Sequence, residues 1–267
     1  MDVQEMTFWE HLDELRKVLL RIIVAVAVLA IGFFIAMPYL FDHVILAPCT
    51  NDFILYRALH KAGTYLPFLP DFILNDFSVS LINIQLASQF FIHMSTSLWM
   101  AVLFAFPFIL YQLWLFISPA LYDKERRNIR FAFLMGNIMF FIGIAVGYFL
   151  VFPLTLRFLA SYQVSLYIPN EISLDSYMNN FLTLIFIMGL VFELPLLCKV
   201  LSAFGILDRS FFSRYRRHAI VILLIAAAII TPSGDPFTLI VVFLPIYAVY
   251  ELSAVFVKSS KQLAKQR

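Results

Sequence analysis

The sequence predicts an all-α polytopic membrane protein with six transmembrane helices, the last two short, and an extended helical first outside loop. Three observations carry this reading. Of 267 residues, 62% are hydrophobic and only 13% charged, against roughly 25% charged in an average soluble domain. The apolar residues gather into runs near the roughly 20 residues that a spanning helix needs. The lysines and arginines gather in clusters between those runs. A soluble globule has too little polar surface here to coat its apolar side chains. A soluble enzyme, a disordered chain and a nucleic-acid-binding domain are thereby excluded. The net charge of +2 is too small to call for a polyanionic partner. Cys49 and Cys198 sit in unlike settings and set no disulfide or metal framework.

The first stretch carries Asp2, Glu5, Glu10, Asp13 and Glu14. A cleavable signal begins with positive charge, so the following apolar run is expected to stay as a span. Thr7 with Glu10 three residues on forms a capping box, and a helix is expected to start there. Phe8, Leu12, Leu15 and Leu19 share one face, with Glu10, Asp13, Glu14, Lys17 and Arg21 on the other. Asp13 and Glu14 are both within reach of Lys17. Glu10 and Glu14 sit one turn apart as like charges, unfavourable unless a cation joins them. The spacing alone leaves open a solvated helix at the membrane surface.

The spans are expected at residues 18–37, 90–117, 131–152, 177–201, 219–231 and 237–250. The corresponding connections are the N-terminus 1–17, the first outside loop 38–89, a cytoplasmic loop 118–130 and an outside loop 153–176. A cytoplasmic loop 202–218, an outside turn 232–236 and a cytoplasmic tail 252–267 complete the chain. In this arrangement 16 lysines and arginines fall on one side and only Arg57, Lys61 and Arg157 on the other. Such a split is a positive-inside signal, and it places both termini in the cytoplasm. The first outside loop carries Pro48, Pro67, Pro70 and several aromatics, and short helices packed as a lid over the outer face are expected there. In the last turn, Asp235 reads as a helix N-cap with Pro236 at the first helical position.

Glu193 lies inside the fourth span. A carboxylate there costs about 2.5–3.5 kcal/mol on insertion scales, so it should face the bundle or a water-filled cavity. Pro195 removes a backbone donor nearby and should bend the helix. The residues leave open whether Glu193 is functional or a hydrogen-bonded group joining helices. Gly136, Gly143 and Gly147 lie near one face of the third span and permit close helix approach. The last two apolar runs are about 20 Å of helix against about 30 Å of hydrocarbon, which predicts local thinning of the bilayer. No phosphate-binding loop or zinc-protease motif appears, the five histidines are scattered, and no enzyme activity, cofactor or metal is expected. On the residues alone, a proton-coupled small-molecule transporter with Glu193 as proton carrier is an alternative.

Several stretches together resemble one family. They are His11 to Arg16 (HLDELR), Phe106 to Tyr122 with Glu125, Arg126 and Arg127, Phe140 to Pro153, Phe192 to Pro195, Ile230 to Asp235, and Leu244 to Glu251. In this order they resemble the TatC family, the core membrane subunit of the twin-arginine protein translocase. The resemblance implies a concave bundle in the plasma (inner) membrane. It implies a receptor for signal peptides bearing paired arginines, which helps export folded proteins using the proton-motive force. It assigns arginine binding to Glu14 and Glu125, with Arg16, Gln112, Arg126 and Arg127 shaping the same surface. Guanidinium suits this role because it pairs with carboxylate in a bidentate fork that lysine does not form. The resemblance makes Glu193 the intramembrane polar site. It places single-span partners of the TatA/TatB type against the last two helices, at Thr231, Thr238, Asp235 and Glu251, within a homo-oligomeric complex. Three features depart from the family pattern, the first being an outside loop 38–89 longer than the family's. The turn Thr231-Pro-Ser-Gly-Asp235 has one extra residue, and Leu239 stands where many members place a glutamine.

Overall fold

The computed structural model describes residues 8–63, 78–118, 123–165, 167–168, 170–203, 206–231 and 234–257. Within these, the side chains at 8, 10, 11, 62, 63, 123–130 and 203 lie outside the description. The proposed capping box at Thr7 also lies outside the described residues.

The chain is built almost wholly of helices. α1 covers Phe8–Leu40 and α2 covers Ile54–Gly63. α3 is Ser88–Ile117 and α4 is Asp123–Val146. α5 is Phe152–Ser161, α6 is Leu174–Val191 and α7 is Leu194–Ala203. α8 is Arg209–Ile230 and α9 is Pro236–Phe256. Among the described residues, five helical stretches are long and apolar enough to cross a membrane: Leu12–Cys49, Ser88–Ile117, Phe131–Ser161, Leu174–Ser202 and Pro236–Phe256. α8 falls short because its first half carries Arg209, Arg214, Arg216 and Arg217. Its apolar part, residues 219–230, is about 18 Å long.

α1 packs along α3, α4 packs on α6 and α7, and α9 joins α8 to α7 and α5. Most of the apolar surface of α1 stays exposed, with Ile35 at 76%. In water that would be a liability; in lipid it is the solvent-facing surface.

The close packing of α4 follows from its glycines. A Cβ at Gly143 would lie 2.5 Å from the Met188 carbonyl oxygen and 2.7 Å from the Phe192 Cβ. At Gly136 it would meet Leu196 Cδ2 at 2.6 Å and Glu193 Oε2 at 2.8 Å. The glycine face is therefore used within the bundle. Phe106 of α3 stacks on Phe140 of α4 at 3.5 Å between centroids, and Phe140 in turn covers Gly189.

Pro195 does more than bend the fourth span. The helix stops at Val191 and restarts at Leu194, with Phe192 and Glu193 in the gap. Proline has no N–H to return to residue 191, and its ring excludes the preceding carbonyl. The chain bridges the gap with tighter bonds, Glu193 N donating to Leu190 O at 3.1 Å. The Leu197 N–H then donates to Glu193 O at 3.0 Å.

The end of the bundle away from the start of α1 departs from plain helices in two places. α1 continues into a π turn, Phe41–Ile45, and α4 into another, Gly147–Val151. The third helical stretch thus runs through Pro153 to Ser161, past the expected end at 152. The π turns meet each other: Tyr148 donates to Val44 O at 2.8 Å, and Tyr177 donates to Ile45 O. Tyr56, from the first loop, donates to Pro48 O or Pro153 O, and the Arg157 guanidinium lies 4.7 Å from its ring centroid. Burial pushes the Tyr56 hydroxyl pKa up. The helical loop is thereby pinned to the bundle. Two short strands, β1 (Leu81–Ile82) and β2 (Ile172–Ser173), pair in parallel and tie the two loops at this end together.

Replacing Gly143 with Leu must push α4 off α6. Overpacking of this kind costs about 1–3 kcal/mol, so the unfolding midpoint in detergent should fall by several degrees. Gly32→Leu adds a side chain where nothing lies within 4 Å, and its midpoint should match wild type. A neutral Gly143→Leu would refute the close approach.

Candidate functional site

The residues that the sequence singles out fall at three levels of the bundle. At the start of α1, Glu14 and Arg16 are exposed. Among the described residues Glu14 makes no ion pair or hydrogen bond, and the expected pairing of Asp13 or Glu14 with Lys17 does not form. Glu125, Arg126 and Arg127 lie near the start of α4, and their side chains are outside the description. Gln112 is buried in α3, with its Oε1 unpartnered among the described residues.

Glu193 occupies the middle level. It is only 6% exposed, and neither carboxyl oxygen has a hydrogen-bond partner among the described residues. The helix gap places it, and Gly136 makes room for it. Gly136 is 11 residues beyond Glu125, so position 125 lies about 16 Å along the α4 axis from the level of Glu193. Asn137, next to Gly136, bonds Phe133 O through Nδ2 at 3.1 Å and leaves its Oδ1 buried and unpartnered. Sequence reasoning missed Asn137. Its signal was available: an amide in an otherwise apolar run.

The hairpin of α8 and α9 holds the third group. Asp235 caps α9, accepting from Thr238 N at 2.8 Å, with Pro236 next in the helix as the sequence predicts. Gly234, just before this cap, has a φ of +59°, which suits glycine. Thr231 is buried and donates to Ala227 O at 3.0 Å, satisfying the end of α8. Thr238 is fully buried and its hydroxyl is unpartnered among the described residues. Leu239 packs against the core. At the other end of the hairpin, Arg216 bonds Glu251 at 2.8 Å and Tyr247 donates to the same carboxylate at 2.7 Å. Glu251 thus joins α8 to α9. Asp208, which caps α8, escaped the sequence reading; hydrogen bonds from Ser210 and Phe211 hold its carboxyl below the usual range.

These helices, with carboxylate and amide groups held inside their spans, define a multi-pass α-helical membrane protein. The profile of the family described as Sec-independent protein translocase protein (TatC) matches residues 10–245. The TatC of Blattabacterium sp. subsp. Periplaneta americana is 34% identical over 93% of this chain and 94% of its own length. That of Deinococcus radiodurans is 32% identical over 97% and 88%. A crystal structure of the twin-arginine translocase receptor TatC in DDM superposes with a TM-score of 0.70. It is 30% identical and covers 93% of this chain and all of that one. The chain belongs to the TatC family, whose members are components of the Sec-independent protein translocase, a transport role rather than a catalytic one.

The Arg216–Glu251 pair is partly solvated, with side chains 56% and 33% exposed. Exposed pairs contribute about 0–1 kcal/mol and are screened by salt. Glu251→Gln should therefore lower the unfolding midpoint slightly at low salt and leave it unchanged at 1 M salt. A large, salt-independent loss would contradict this weak, screened pairing.

Proposed function

We propose that this chain is the twin-arginine signal-peptide receptor of its translocase, taking part in proton-motive-force-driven export of folded proteins. The observation that carries the reading is Glu14, an exposed carboxylate at the start of the first span with no ion pair among the described residues. Such a group is available to a guanidinium from another molecule, and charge-assisted bonds of this kind are the stronger ones. Glu125 at the start of α4 supplies the second carboxylate. Arg16, Gln112, Arg126 and Arg127 shape the surface around them.

The spacing along α4 supports the rest of the reading. A peptide held by its arginines at the Glu125 level and continuing as a helix reaches the Glu193 level in about 11 residues. Its apolar segment would then lie against α4, α6 and α7, with Glu193 as the polar anchor. Single-span partners of the TatA/TatB type would dock on α8 and α9 near Thr231, Thr238, Asp235 and Glu251, within a homo-oligomeric complex. Topology follows the charge split: six spans with α8 as the short fifth, both termini cytoplasmic, in the plasma (inner) membrane.

The test is photo-crosslinking in membranes with a probe beside the arginine pair of a signal peptide. Paired arginines should crosslink at least about tenfold more than paired lysines, the factor expected of the extra hydrogen bond in a bidentate fork. Glu14→Ala/Glu125→Ala should abolish that difference while the protein still inserts. Equal crosslinking of arginine and lysine peptides to the wild type would overturn the receptor reading.

A further inference from the structure

A cavity of about 350 Å³ lies between α5, the connection that follows it and the first turns of α6. Its apolar walls include Phe152, Leu156 and Leu159 of α5. Its polar lining is unusual in what it leaves open. Thr155 is 2% exposed, and its Oγ1 has no hydrogen-bond partner among the described residues. Asn180 donates through Nδ2 to Ser176 O at 2.9 Å, which fixes the amide orientation and leaves Oδ1 buried and unpartnered. Glu171, exposed at the rim, makes no ion pair among the described residues. A buried acceptor without a donor is costly. Thr155 and Asn180 line one cavity, with the Glu171 carboxylate unpaired among the described residues beside them, and this set calls for a ligand with N–H donors and positive charge.

Among the described residues, the lining holds no lysine or arginine to receive an anion. The N-terminus of α6 is capped by the Ser173 hydroxyl, and Asp175 in its first turn accepts from Ser88 of α3. The position favours a lipid over a soluble cation. Asn180 lies six residues into α6, so the floor is about 9 Å below the start of that helix. Tyr162 and Tyr167 of the connection are 64% and 96% exposed, beside exposed Val164 and Ile168. Exposed tyrosines among apolar residues at a span end mark the headgroup layer.

We propose that this cavity binds the primary ammonium of an aminophospholipid headgroup, of the phosphatidylethanolamine type. Thr155 Oγ1, Asn180 Oδ1 and the Glu171 carboxylate accept its three N–H groups, and the apolar wall of α5 covers the adjoining carbons. The assignment rests on these helices crossing the membrane and not on the receptor reading above.

The test is native mass spectrometry of the full chain in mixed-lipid micelles. The lipids are phosphatidylethanolamine and its mono-, di- and trimethylated forms with identical acyl chains. Retention should fall stepwise as N–H groups are lost, by about tenfold per N–H removed, as expected for hydrogen bonds to a charged group. Thr155→Val and Asn180→Leu should flatten the series while keeping the wild-type unfolding midpoint. Equal retention of all four lipids by the wild type would overturn the proposal without reference to any variant. Displacement of the lipid by free ethanolamine would place recognition in the amine alone and overturn the lipid assignment. Loss of signal-peptide crosslinking with the lipid series intact would strike the receptor reading and leave this one standing.

Discussion

The structure depends on how closely α4 approaches the broken fourth span. Lipid offers no hydrogen bonds, so an interrupted helix inside it survives only where protein covers the interruption. Pro195 forces the gap at Phe192 and Glu193. The bare faces of Gly136 and Gly143 let α4 lie directly over that gap. Position and confinement of Glu193 follow from the same contact. A larger residue at either glycine would separate the helices and leave the gap facing lipid.

The end of the bundle with the π turns solves a related problem by other means. Two π turns leave backbone carbonyls out of register, and tyrosine hydroxyls from neighbouring elements satisfy those of Val44 and Ile45. These bonds run between elements far apart in sequence, so they also tie the first loop, α4 and α6 into one body. The strand pair adds a backbone link between the two loops at this end. The hairpin of α8 and α9 is held at its two ends instead, by the capped turn at Asp235 and by the partly solvated Arg216–Glu251 pair.

Much of this was legible in the sequence because the signals are local. Hydropathy marks the spans, Asp235 and Pro236 mark a helix start, and glycines in an apolar run mark close packing. Glu193 is conspicuous because a carboxylate is expensive in lipid. What was not legible depends on partners distant in the chain. Nothing near Leu81 or Ile172 announces a parallel strand pair. The π turns depend on tyrosines whose acceptors lie 104 and 132 residues away. Glu251 reads as an available surface group until Arg216 and Tyr247 are seen beside it. Thr155 and Asn180 are ordinary polar residues in sequence and become notable only when their buried atoms are found unpartnered among the described residues. The expected pairing of Glu14 with Lys17 did not form, because spacing permits such a contact without requiring it.

The central claim is that Glu193 is held in place for function and does not hold the bundle together. Both its oxygens lack a partner among the described residues, so an apolar side chain should suit the fold at least as well. Buried ionisable groups replaced by apolar residues of similar size are often neutral or stabilising. The direct measurement is the thermal unfolding midpoint of Glu193→Leu in detergent, taken beside its export activity in cells. A midpoint at or above wild type with export lost is the expected result. A fall of more than about 4 °C, the shift that a lost hydrogen bond of ~1–2 kcal/mol produces in a chain of this size, would contradict it and make Glu193 a structural joint.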